Sequence, residues 1–127
     1  MKILVCEPGK QPYPKDIPDT LEAKQEIVGG LIEPIYFEPE GDAIAVCNEE
    51  FLYLGFAPNR IVNGQLILGT FFICGDGENK YGERDFCSLT DEQIAKYTEQ
   101  FALTPLIVFC DISDEADESE EGAPSQT

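Results

Sequence analysis

Histidine and tryptophan are missing from this 127-residue chain, and lysine plus arginine number eight against twenty-five aspartates and glutamates. Without histidine the commonest general base and the commonest metal ligand are both gone, which excludes Ser-His, Cys-His and zinc-histidine arrangements. The shortage of bases excludes more. A net charge of -17 repels phosphate backbones and anionic lipid headgroups, which argues against direct binding to nucleic acid or to a membrane. Five cysteines, an odd number with no CxxC pair, fit a reducing compartment better than a disulfide framework. No apolar stretch approaches the length of a membrane span, and the opening MKILVCEPG is too brief for a signal-peptide core. A cytoplasmic location is the expectation.

What is present divides into two parts. Seven acids, Asp111, Asp114, Glu115, Asp117, Glu118, Glu120 and Glu121, crowd residues 111–127 with no base to offset them. That composition predicts an acidic disordered tail after a single domain over residues 1–110. The domain stays acidic without it, with eighteen acids against eight bases.

Within the domain, Lys2-Ile3-Leu4-Val5-Cys6 reads as a first strand. Asp19 followed three residues later by Glu22 marks a helix start with Asp19 as the cap, and Gly29-Gly30 a stop, so the first helix covers about residues 20–28. Residues 31–37 and 43–47 read as two strands joined by the hairpin loop Glu38-Pro39-Glu40-Gly41-Asp42, with Pro34 placing the first of them at an edge. Residues 48–60 are irregular, a short helical turn or packed loop. Asn63-Gly64 is a hairpin signal, residues 65–74 read as one long strand bent at Gly69, and residues 75–83 as a polar loop. Thr90 with Gln93 forms a capping box and Leu89 with Ile94 a hydrophobic staple. The second helix they start buries Ile94, Tyr97 and Phe101 and ends at Thr104-Pro105; residues 106–110 make a last strand. The predicted fold is α+β, a mixed or mainly antiparallel sheet of about five strands with two helices in the order β-α-β-β-β-α-β.

Candidate sites are few. Cys6, Cys47, Cys74 and Cys110 each close an apolar run; a thiolate metal site would need all four strand ends on one side, and buried core cysteines are the favoured reading. The loop from Asp76 carries oxygen ligands at alternate positions but places Lys80 and Tyr81 where a calcium loop needs Asp or Asn and then Gly. Glu49 and Glu50 are adjacent and read as a solvated turn. Of the four serines, Ser113, Ser119 and Ser125 lie in the tail and Ser88 at a helix entrance, so none suggests a nucleophile. No cofactor and no metal are expected. Arg60 is read as the partner of Glu49 or Glu50, or else as a phosphate or carboxylate binder through its planar fork. On the second helix Glu92 precedes Lys96 by four residues, the favourable order; on the first, Asp19, Glu22 and Glu26 share a face, and Glu22 and Glu26 repel one another. A cationic partner would relieve that repulsion.

The stretches Ile3-Leu4-Val5-Cys6-Glu7-Pro8-Gly9, Leu21-Glu22-Ala23, Ile27-Val28-Gly29-Gly30-Leu31-Ile32-Glu33, Asn48-Glu49-Glu50, Pro58-Asn59-Arg60, Gly69-Thr70-Phe71-Phe72-Ile73 and Ser88-Leu89-Thr90-Asp91-Glu92-Gln93, in that order, resemble the domain of unknown function 3846 family through about residues 1–103. Where the family often has Asn-Glu-Glu-Gly-Lys, this chain continues with Phe51-Leu52. The resemblance implies a small protein carried by phages or conjugative elements of bacteria, and implies no activity, cofactor or catalytic residue. By analogy it suggests an anti-defence protein, such as an anti-CRISPR acting as a DNA mimic. The functional expectation is a non-enzymatic protein-protein interaction: Asp19, Glu22, Glu26, Glu38, Glu40 and Asp42 meeting a basic protein surface, a host nuclease among the candidates. The competing class is a small-ligand-binding or enzymatic domain using Asn48, Asn59 and Arg60.

Overall fold

The computed structural model describes residues 1–37, 42–78 and 80–103. It is an α+β fold with β1 (Lys2–Cys6), β2 (Tyr13–Asp16), α1 (Leu21–Val28), β3 (Ile32–Ile35), β4 (Ala43–Asn48), β5 (Pro58–Val62), β6 (Gln65–Leu68), β7 (Phe71–Glu78), β8 (Arg84–Cys87) and α2 (Asp91–Gln100). A 3-10 turn, Phe51–Tyr53, follows β4.

Six strands form one sheet in the order β2-β1-β7-β4-β3, with β8 beside β7, and every pairing described is antiparallel. β8 pairs with the second half of β7, on residues 75–78, while β1 pairs with its first half, on residues 71–73. β5 and β6 form a separate two-stranded ribbon. Alternation along the strands divides the core in two. Ile3, Val5, Ile44, Val46, Phe72 and Cys74 face α1, through Val28 and the half-buried Ala23 and Ile27. Leu4, Cys6, Ala45, Cys47, Phe71 and Ile73 face the opposite layer, built from Tyr97 of α2, Phe101 at its C-cap, Phe51, and Val62 and Ile67 of the ribbon. β4 is buried on both faces, which explains its unbroken apolar sequence Ala-Ile-Ala-Val-Cys.

Most of the sequence reading survives, with instructive corrections. The N-cap of α1 is Thr20, whose hydroxyl accepts from the Ala23 amide at 3.1 Å, and not Asp19. Gly29 closes that helix in the left-handed conformation. α2 begins with the expected capping box, and Leu89 and Ile94 join the same core cluster. Its regular turns stop at Gln100, short of Thr104-Pro105. β2 is an addition to the expected order, because its Tyr-Pro-Lys-Asp sequence is exposed throughout and gives no strand signal. Part of the irregular stretch, from Pro58 on, is strand β5. Asn63 and Gly64 turn the β5–β6 hairpin with φ of 53° and 76°. Residues 65–74 are not one bent strand: the chain leaves the ribbon after Leu68 and enters the central sheet at Phe71. The start of the expected polar loop, Gly75 to Glu78, continues β7 and pairs with β8. The predicted strand at residues 106–110, the acidic segment and most of the loop at 38–42 lie outside the described residues. Among the described residues no helix is long and apolar enough to cross a membrane.

Candidate functional site

Of the three acids expected to share the face of the first helix, Glu22 and Glu26 lie on α1 and Asp19 precedes it. The only base of α1, Lys24, is turned inward and buried; the ammonium donates to Asp19 Oδ1 at 2.9 Å and to the Thr20 carbonyl at 3.5 Å. Asp19 is therefore drawn into an ion pair and does not stand with Glu22 and Glu26 as a third uncompensated charge. Glu22 and Glu26 remain exposed. They line, with Pro18, Thr20, Ala23, Gln25 and Gly29, a shallow open groove of about 620 Å³ along the helix. No salt bridge to either is formed among the described residues. Asp42 is exposed too, at the start of β4, and its carbonyl receives the Asp76 amide and the Gln93 side-chain amide. Glu38 and Glu40 fall outside the described residues.

Of the three polar residues of the alternative reading, Asn59 and Arg60 are brought together and Asn48 makes its bonds elsewhere. Asn48 is 2 % exposed; its amide donates to the Val28 carbonyl at 3.2 Å, and its oxygen accepts from the Glu50 amide at 2.7 Å. It ties the end of α1 to the turn after β4. Asn59 donates to the carbonyls of Cys6 and Gly69 at 2.9 and 2.8 Å, and its oxygen accepts from Arg60. Arg60 is 8 % exposed, and its guanidinium donates to the carbonyls of Phe101 (2.6 Å), Glu7 (3.2 Å) and Lys10 (2.6 Å) and to Asn59 Oδ1 (2.6 Å). The expected ion pair with Glu49 or Glu50 is not made; both glutamates are exposed in the turn. The reason is geometric. The rigid fork satisfies three backbone carbonyls at once, which a carboxylate on a solvated turn cannot replace. Burial pulls the guanidinium pKa below its ordinary value.

Two neighbours of this knot escape sequence reasoning. Gln11 accepts from the Leu103 amide at 2.8 Å and donates to the Leu103 carbonyl at 3.0 Å, fixing the chain where α2 ends. Tyr13 donates a short hydrogen bond to Glu7. That bond is the main cause holding the Glu7 carboxyl below its usual range and pushing the phenol up to about 12. No spacing rule links these pairs, since β2 is itself illegible in the sequence.

The cysteines separate as well. Cys6 and Cys47 belong to the α2 side of the sheet and Cys74 to the α1 side. Burial pushes their thiols up to about 12, 11 and 12 respectively, and Cys47 Sγ donates to the Glu33 carbonyl at 3.5 Å. Cys87, which ends no apolar run, is exposed on β8. Ser88 accepts from the Lys2 amide, a joint between β8 and β1.

The stretches that carry the family resemblance fall on the elements that build this fold, and residues 1–102 match the family described as Domain of unknown function (DUF3846). The chain belongs to that family. The DUF3846 match contains both the α1 carboxylates and the Asn59–Arg60 knot and stops just beyond α2. No curated protein and no solved structure matches the chain.

Proposed function

We propose that this protein is a non-enzymatic interaction module whose acidic α1 face occupies a Lys- and Arg-rich surface on a protein partner. One observation carries the reading: the sole base of α1 is withdrawn into an internal ion pair, leaving Glu22 and Glu26 exposed along an open groove. Like charges four residues apart cost a few tenths of a kcal/mol on a helix, and a cationic counter-surface recovers that cost. A basic nucleic-acid channel is the kind of surface that fits, so the reading extends to inhibition of a DNA-processing enzyme, such as a host defence nuclease met by a phage or conjugative element. The small-ligand reading loses support because Asn48, Asn59 and Arg60 spend their polar atoms on the protein's own backbone.

The test is affinity capture from a bacterial lysate followed by binding measurements on the identified partner. Affinity should fall steeply between roughly 0.05 and 0.3 M salt, as screening shortens the reach of exposed charges. Glu22→Lys with Glu26→Lys should weaken binding about tenfold or more, several-fold beyond the paired reversal of Glu92 and Glu99. Competition by duplex DNA would mark the complex as phosphate-backbone mimicry. Affinity indifferent to salt and to both reversals would sink the charge-based reading.

A further inference from the structure

Glu26 stands between two grooves. One is the open groove along α1; the other, of about 330 Å³, lies at the end of that helix, where Glu26 and Ile27 meet Pro8, Phe56, Ala57 and Thr70. Three properties of this second groove suit a cation on an apolar stem. Its rim carries the exposed Glu26 carboxylate. The negative end of the α1 dipole faces it: the last turn, Gln25 to Val28, contains no base, and its Gln25 and Val28 carbonyls accept from the neutral amides of Gly29, Gly30 and Asn48. Its walls are largely apolar and include an aromatic ring fixed in place. The Phe56 ring lies between two bare glycines, 3.8 Å from where a Cβ on Gly29 would stand and 2.6 Å from that of Gly69.

A carboxylate, a helix C-terminus and an aromatic ring each attract positive charge, while aliphatic neighbours favour a side chain that covers apolar surface with its stem. Between the two basic side chains the guanidinium fits better, since it is more weakly hydrated than an ammonium and stacks on rings. We propose that this groove receives one arginine side chain of the basic partner, its guanidinium between Glu26 and the Phe56 ring and its stem against Pro8, Ile27 and Ala57. The assignment rests on α1 as the binding face and adds a demand for shape that charge alone lacks. It also ranks the two exposed glutamates, because Glu26 lines both grooves and Glu22 only the first.

NMR titration of the full-length protein with the capped peptide acetyl-Gly-Arg-Gly-amide, and with its lysine and citrulline counterparts, tests this at low ionic strength. The arginine peptide should shift the amides of residues 26–30, 56–57 and 69–70 and the Phe56 ring, and bind at least about threefold more tightly than the lysine peptide. Citrulline, neutral and nearly the same shape, should not bind. Ala57→Phe fills the groove without changing any charge and should weaken the arginine peptide about tenfold, and Glu26→Gln about fivefold, against less than about twofold for Glu22→Gln. Should Ala57→Phe disturb core resonances, the two glutamate variants decide. Equal affinity for arginine and lysine, shifts spread evenly along α1, no shift at all, or equal losses in Glu22→Gln and Glu26→Gln would each overturn the pocket. Equal losses would leave the α1 face standing as a charged surface, whereas citrulline binding as tightly as arginine would sink both.

Discussion

Arg60 shows how a residue suited to ligand chemistry can be spent on architecture. Its donors join the loop after β1, through Glu7 and Lys10, to β5 and to the end of α2. Removing it leaves the buried Phe101 carbonyl and the part-buried carbonyls of Glu7 and Lys10 without this donor, and a lysine, with a point charge on a flexible stem, cannot replace the fork. Arg60→Met and Arg60→Lys should each lower the unfolding free energy by about 2–4 kcal/mol, read from urea denaturation. Unchanged stability would return Arg60 to the ligand-binding reading. Asn48, Asn59 and Arg60 stand out in the sequence as unusual, since polar residues inside an apolar fold need partners. That those partners are backbone carbonyls is invisible there, because carbonyls carry no sequence signal. Lys24 is hidden for a similar reason: its alignment with Asp19 depends on which side of α1 faces the sheet.

At the scale of elements, legibility follows burial. β4 is covered on both faces and α2 on one, so periodicity and capping residues reveal them. β2 has no buried face, and its residues Tyr13, Pro14, Lys15 and Asp16 read as a loop. The second half of β7 is obscured by Gly75 and Gly77, and the structure needs the first of them bare: a Cβ on Gly75 would lie 2.6 Å from Cys87 Sγ and 2.8 Å from the Ser88 carbonyl. The joint between β6 and β7 reads as a bend because both flanks are apolar, although each belongs to a different sheet. Gly69 makes that joint, with φ of 83° and the Phe56 ring 2.6 Å from where a Cβ would stand. Gly69→Ala should therefore cost more than the roughly 1 kcal/mol of an ordinary loop strain, displacing Phe56 as well. Thermal unfolding together with the Phe56 ring resonances would check it; an unchanged melting temperature would mean that the ring yields freely.

For the whole molecule, three thiols buried on two faces set a pH limit. Cys6, Cys47 and Cys74 are raised to about 12, 11 and 12, whereas an unfolded thiol ionises near about 8.5. Between those values the unfolded chain releases protons that the folded one keeps, so stability is full below the unfolded value and declines as pH rises through it toward the folded values. Tyr13, raised to about 12, adds to the decline at the upper end. The urea midpoint should fall progressively from about pH 8.5 to 11, and Cys74→Ala should make that fall shallower while lowering the midpoint at pH 8. A midpoint flat across this range would show that the thiols are not sequestered.

The position of β7 at the centre of the sheet also governs how the chain reaches it. β1 pairs with β7 at Leu4 and Ile73, closing a loop of roughly seventy residues, and β4 also waits for β7 to complete its pairing. Local contacts such as the β5–β6 hairpin form in about 1–10 μs, but the central pairing demands closure entropy before it returns any burial. Folding should accordingly run on the millisecond-to-second scale of topologies rich in distant pairings. During synthesis both β1 and β4 emerge with a bare flank and an apolar sequence, so the interval before residue 78 is extruded is when this chain is most open to mispairing.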